Sequence, residues 1–294
     1  MIVTLKNHTM TARIDSIGAQ LISLKSKSGT EYIWQRDPAH WKSSSPLLFP
    51  TVGNCRDGKY TLNGQIYSIP KHGFCRNADF AVSVLSEQEA SFILTDSPET
   101  RAHYPFAFHL KLTYALTEDG IRIHYTVTNP GTGPMYYQLG AHPGFNCPLH
   151  SGERFEDYVL EFEQEGTAGY HSYDLNRMEF NMNSYTPILD HAAVIPLTHE
   201  LFANDAIFFT DLRSKKVALK NQATGYGVEV SYPDFATVAF WTAAATKAPF
   251  LCLEPWNGSA IRSDEDDNFL NRHFLQKVES GESKEYQIWI KKIS

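Results

Sequence analysis

Residues 109–128 read HLKLTYALTEDGIRIHYTVT. Apolar and polar residues alternate on both sides of Glu118-Asp119-Gly120, which is the period-two signature of half-buried strands joined by a short loop. The pattern recurs along the chain. YTLNGQIYSI (60–69) sets Asn63-Gly64, the favoured pair for a tight two-residue turn, between two strand-like arms. VALKNQATGYGVEVSY (217–232) reads as a third hairpin and KEYQIWIKKI (284–293) as a further strand. Helical signals are few and short. SPETRAHY (97–104) starts with a serine cap and a proline, and THELF (198–202) suffices for one turn. SDEDDNFLNRHF (263–274) reads as a helix capped by Ser263, with its acids at the positive end. No repeat, low-complexity tract or linker interrupts the series. The expectation is an all-β chain, a single domain over residues 1–294, built as a large antiparallel β-sandwich with a few short helices. Its binding site would lie on a sheet face or in the rim loops.

Composition narrows the function. The chain has 294 residues, and its 42% hydrophobic and 13% aromatic content is enough for a sizeable core. Net charge is −7 with no long basic run, so no nucleic-acid partner is expected. The opening MIVTLKNHTM lacks the cationic start and apolar stretch of a signal peptide, which leads to an expected cytoplasmic location. The most apolar long stretch, FATVAFWTAAATKAPFLCLEPW (235–256), contains Lys247, Pro249 and several threonines. It reads as two buried strands around a loop rather than a membrane span. The four cysteines form no CxxC pair, and no disulfide framework is expected.

Four stretches carry candidate chemistry: GNCRDGKY (53–60) with Arg56, PKHGFCR (70–76) with His72 and Arg76, AHPGFN (141–146) with His142, and FLCLEPWNGSA (250–260) with Glu254. Glu254 follows the apolar run Phe250-Leu251-Cys252-Leu253, and carboxylates are rarely buried without partners. It is either half of a structural salt bridge or a general base whose pKa burial has raised. Pro143 holds His142 in an extended conformation where a strand becomes a loop, a place equally suited to a proton donor and to a packed histidine. His72 either caps the turn at Gly73 or binds a ligand, and Arg56 alone reads as a solvated loop residue. Together they describe an acid, a base and hydrogen-bond donors, without metal-site spacing or a phosphate-cradling loop. Trp256, Phe74 and Phe145 beside these groups suit a sugar, apolar on its faces and hydroxylated at its edge. Every cysteine lies near a candidate residue. Either these thiols fill tight apolar space or one of them lines the pocket.

The ordered set GNCRDGKY, HGF, AHPGFN and LEPWNG resembles the aldose 1-epimerases, or galactose mutarotases, across most of the chain. The resemblance implies the family's large β-sandwich (the galactose mutarotase-like supersandwich) and a cofactor-independent isomerase that interconverts the α- and β-anomers of a hexose. It implies His142 as general acid, Glu254 as general base, and Arg56 and His72 as sugar-binding groups. Asp205, in NDAIFF, looks like the family's sugar-binding aspartate, with Asp211 as a competitor. Burial would raise the pKa of Glu254, while that carboxylate would keep His142 protonatable.

The chain departs from the best-known galactose mutarotases. It is shorter, has HGF for a glycine-rich HGG-type turn, and has Pro-Gly-Phe rather than Pro-Tyr-Phe after His142. PKHGFCR is closer to the hexose-6-phosphate 1-epimerases, where arginines clamp a phosphate; Lys71 and Arg76 would serve that end here. The expected partner is a sugar or sugar phosphate, with no metal, no other cofactor and no membrane, on a monomer or homodimer. A non-catalytic sugar-binding protein on the same fold is the rival class.

Overall fold

The computed structural model describes all 294 residues. Nine strands form the larger sheet, in hydrogen-bonded order Thr186–Pro196, Tyr158–Tyr170, Lys216–Asn221, Gly227–Ser231, Ser283–Ile293, Gly120–Thr128, His109–Leu116, Glu89–Thr95 and Ala81–Val84. Every neighbouring pair is antiparallel. The alternation in 109–116 is realised residue by residue, with every second side chain buried. A six-stranded sheet is built on Phe250–Asn257 and Thr237–Trp241, the two strands expected from the apolar stretch, together with Ile207–Phe209, Leu139–Ala141, Gly144–Asn146 and Leu47–Leu48. A three-stranded sheet, Ile2–Lys6, Met10–Asp15 and Gln20–Ser26, covers one end. Side chains from all three sheets join one buried cluster of 62 residues, so the architecture is the expected all-β sandwich.

The hairpins lie where the turn signals put them. Asn63 and Gly64 both have positive φ, 50° and 79°, as a tight turn of this kind requires. Ser97 caps the helix Pro98–His103 with a reciprocal bond to Thr100. The helix expected over 263–274 is absent, and only a single turn at Phe269–Asn271 forms. Its acids bind locally instead. Asp264 pairs with Arg262 at 2.7 Å, while Glu265 accepts from the backbone N–H groups of Arg262 and His273 and pairs with Arg272 at 3.2 Å. Asn268 and Asp266 accept backbone N–H groups two residues on. Such side-chain bonds compete directly with a helical ladder.

Two backbone features position the site. Phe250–Asn257 is buried along its whole length, yet it carries Pro255, which has no N–H to give a central ladder. The neighbouring strand is broken opposite that point: Gly144–Asn146 pairs with 250–252, Leu139–Ala141 pairs with 256–257, and His142-Pro143 fills the gap. The Leu253 N–H is satisfied by the Pro143 carbonyl at 3.1 Å. Two prolines therefore open one ladder, and Glu254 and His142 meet at the opening. The second feature is the HGF turn, where His72 and Gly73 both have positive φ, 68° and 72°. A Cβ on Gly73 would lie 2.1 Å from the Phe49 carbonyl oxygen. Gly73→Ala should therefore lower stability by about 3 kcal/mol, measured by denaturant unfolding, whereas Gly133→Ala, where an added Cβ meets nothing within 4 Å, should change it little.

Candidate active site

A cavity of about 330 Å³ opens beside the interrupted ladder. His142 and Glu254 form its chemical centre, with His142 Nε2 3.1 Å from Glu254 Oε2. Both side chains are buried, at 10% and 2% exposure. Glu254 Oε2 and His142 Nδ1 have no aligned hydrogen-bond partner, and neither has Trp256 Nε1 in the same wall. Buried polar atoms of a folded protein are nearly always paired, so three orphans around one cavity point to a polar ligand.

Aromatic rings fix the imidazole. Trp41 stacks on His142 at 5.0 Å between ring centroids, Trp241 meets it edge-on at 5.7 Å, and His72 does so from a third side at 5.7 Å. The His72 tautomer follows from its backbone. The Gly53 N–H donates to His72 Nδ1 at 3.0 Å, and the His72 N–H donates back to the Gly53 carbonyl at 2.6 Å. An amide can only donate, so His72 Nδ1 accepts and its proton sits on Nε2. Burial, reinforced by His142, Lys71 and Arg76, lowers the pKa of His72, and the ring is a neutral donor.

Burial is also the main influence on the central pair. It raises the pKa of Glu254, Asp205 raises it further, and Lys71 partly offsets this. It lowers the pKa of His142, with Arg76 pushing the same way. This corrects the expectation that the carboxylate keeps His142 protonatable: desolvation of the ring outweighs the attraction of a carboxyl that is itself driven toward neutrality. The two groups, 3.1 Å apart, titrate as one coupled unit.

Comparison with known proteins accords with this geometry. A family model described as aldose 1-epimerase matches residues 1–266. The chain belongs to the aldose 1-epimerase family. It is 34% identical to the chromosomal protein LacX of Lactococcus lactis subsp. lactis over 284 residues, 95% of each chain. A galactose mutarotase related enzyme from Lactobacillus acidophilus superposes with a TM-score of 0.94 at 30% identity, covering 100% of this chain and 98% of that one. A galactose mutarotase-like protein from Lactobacillus casei superposes with a TM-score of 0.91 at 28% identity, with both chains fully covered. The fold is thus that of the galactose mutarotase-like proteins.

Within this member of the epimerase family, His72, Arg76, Asp205 and Trp256 join His142 and Glu254 in the cavity wall. Arg76 is half-buried and reaches Ser43 Oγ at 3.4 Å, and Lys71 also lines the cavity. Asp205 holds a left-handed backbone, φ 75°, at the cavity edge. Its competitor Asp211 lies elsewhere and accepts a bond from the Tyr185 hydroxyl. Arg56 is not in the wall. Its guanidinium binds Glu179 at 2.5 Å and Asp267 at 3.2 Å instead. Phe74 and Phe145 do not line the cavity either; Trp41, Trp241, Tyr173 and Phe180 supply the aromatic surface instead. Sequence reasoning missed these four. Trp41 and Trp241 lie far from the motifs in sequence, and Tyr173 and Phe180 sit in a short hairpin with no alternating signature.

No cysteine lines the cavity, which corrects the idea of a thiol in its wall. Cys252 lies behind the pair, its sulfur among the ligand-type atoms of His142 and Glu254, all within 4.8 Å of one another. All four thiols are buried and free, and burial raises the pKa of each. Thiol reactivity needs exposure and thiolate. Titration of the native protein with a chromogenic disulfide should show no fast-reacting thiol, and four after denaturation; a fast thiol in the native protein would contradict this packing.

Proposed function

We propose that the protein is an aldose 1-epimerase, interconverting the α- and β-anomers of a hexose by opening and reclosing its ring. The observation that carries this reading is the buried His142–Glu254 contact of 3.1 Å in the wall of a sugar-sized cavity. Ring opening needs a proton taken from the C1 hydroxyl and a proton given to the ring oxygen. Both oxygens are bonded to the same carbon, so acid and base must stand close together. Glu254, as carboxylate, takes the hydroxyl proton. His142, as imidazolium, gives its proton to the ring oxygen as the bond from that oxygen to C1 breaks. Rotation about C1–C2 presents the other face of the aldehyde. The ring oxygen attacks C1, returns its proton to His142, and the new C1 oxygen regains one from Glu254. Each group serves as acid in one direction and base in the other, and the chemistry consumes no cofactor.

The remaining wall fits this role. His72 Nε2 is a neutral donor for the sugar, Asp205 accepts from hydroxyls, and Trp41, Trp241 and Trp256 cover apolar C–H faces. The same reading takes residues 1–294 as one epimerase-like domain. A specific observation supports a second reading: Arg76 and Lys71 both line the cavity, and two cations there, one of them a forked arginine, suit a phosphate. A hexose 6-phosphate would then be the substrate.

The deciding experiment follows anomer exchange by NMR and optical rotation for glucose, galactose and glucose 6-phosphate. His142→Ala and Glu254→Gln should each lose about 10²- to 10⁴-fold in kcat. Acceleration of no sugar, with sugar binding retained, would leave a binding protein on an epimerase fold and remove the acid and base roles.

The pH dependence has a definite sign. The pair works while it holds one proton. A second proton enters on the acid side, and because the His142 pKa is lowered it does so below the ordinary histidine value of about 6.5. The single proton leaves on the alkaline side, and because the Glu254 pKa is raised it does so above the ordinary glutamate value of about 4.3. The kcat/KM profile should show an acid limb whose midpoint lies below about 6.5. A midpoint at or above that value would contradict the effect assigned to burial.

A further inference from the structure

Arg56 does not line the cavity, and its contacts are too specific for a solvated loop residue. It bridges three segments. Nη1 binds Glu179 at 2.5 Å, Nε binds Asp267 at 3.2 Å, and Nη2 donates to the Glu265 carbonyl at 3.2 Å. Glu179 belongs to a small hairpin, Tyr173–Asp174 paired with Glu179–Phe180, whose tip is exposed at Leu175, Arg177 and Met178. The two ends of that hairpin, Tyr173 and Phe180, are both in the cavity wall. Phe180 stacks on Phe208 at 4.6 Å, and Phe208 leans on Trp256 at 5.5 Å, so the hairpin completes the aromatic side of the site.

Two backbone bonds to Ile261 and Ser263, each 2.9 Å, hold the Phe180 end of the hairpin, and polar side chains from the loop carrying Arg56 hold its tip. The Asn54 side chain donates to the Met178 carbonyl at 2.6 Å and accepts from the Tyr173 hydroxyl at 3.0 Å. The Glu179 side chain is 3% exposed, and its other cation, Arg177, is a looser partner at 3.7 Å and 74% exposed. Removing Arg56 would strand a buried carboxylate, which is costly and is relieved by moving Glu179 toward water. That movement would loosen the hairpin from its tip and strain the two backbone bonds that keep Phe180 in the wall.

We infer that Arg56 and Glu179 are positioning residues that latch the Tyr173–Phe180 hairpin as one wall of the sugar site, without touching the sugar. The inference rests on the sugar-site reading for its kinetic arm, but not for its structural arm. In the kinetic arm, Arg56→Ala should raise KM about tenfold, with kcat close to wild type, since His142 and Glu254 stay in place. Glu179→Gln should raise KM in the same direction. The double variant should lose less than the two singles combined, because the stranded charge is gone. Arg56→Lys should recover part of the loss, since lysine offers a point charge that cannot span Glu179 and Asp267 as the fork does. In the structural arm, trypsin should cut after Arg177 severalfold faster in Arg56→Ala than in wild type, with fragments identified by mass.

A raised KM in Arg56→Ala with an unchanged KM in Glu179→Gln would overturn the latch and make Arg56 a direct sugar contact. Unchanged cleavage at Arg177 in both variants would overturn it independently of any activity. Wild type without mutarotation but with the faster variant cleavage would keep the latch and reject the epimerase reading. Should Arg56→Ala fail to fold, Glu179→Gln and Arg56→Lys carry the same comparisons.

Discussion

The site depends on an interruption in a β-ladder. A carboxylate at the centre of a buried strand is a costly placement, tolerated only when something compensates it. Here the compensation is local and cheap in sequence. Pro255 removes a donor from Phe250–Asn257, and His142-Pro143 breaks the neighbouring strand at the same level. The ladder on that side loses its register pairing over Leu253–Pro255, and the opening is filled by the imidazole and carboxyl that face each other at 3.1 Å. The strands on either side of the break are held by ordinary backbone bonds, so the pair is placed on rigid elements rather than on mobile loops.

The rest of the sandwich lines that opening with aromatic rings. Trp41, Trp241 and Phe250 pack against one another, and the two tryptophans pack against His142, with ring centroids 5.0–5.7 Å apart. On the other side Phe208, Phe180 and Trp256 form a second aromatic group, distinct from the main core. The cavity lies between these two groups. Its apolar surfaces suit the C–H faces of a pyranose, and they strengthen every polar contact made inside.

The fold was legible in the sequence because it is written locally. The alternation of 109–128 and the Asn63-Gly64 turn each specify a hairpin without reference to the rest of the chain. The helix expected at 263–274 failed for an instructive reason: its acids find Arg262, Arg272 and nearby backbone N–H groups, and these contacts depend on a tertiary setting that periodicity does not reveal. The same distinction divides the site. His72, His142 and Glu254 are marked by prolines and glycines that any reader of backbone chemistry would notice. Trp41, Trp241, Tyr173 and Phe180 reach the cavity only through long-range packing. Arg56 shows the converse case. Alone it reads as a solvated loop residue, and only the family resemblance made it a sugar-binding group; its contacts are set by Glu179, more than a hundred residues away.

The protonation of the central pair then follows from what occupies the cavity. With burial acting alone, the proton they share rests on Glu254, and both groups are neutral. Catalysis of ring opening needs the other arrangement, imidazolium beside carboxylate, which has the same net charge and differs by transfer of that proton over 3.1 Å. In the proposed epimerase reading, a sugar would bring hydroxyls to the Glu254 oxygen that lacks a partner and to the region around His142, and hydrogen bonds to a charged form favour it. Substrate binding would thereby stabilise the ionised arrangement that ring opening needs. Close spacing makes the switch short, and burial makes it responsive to what enters; a solvated pair of the same residues would have neither property.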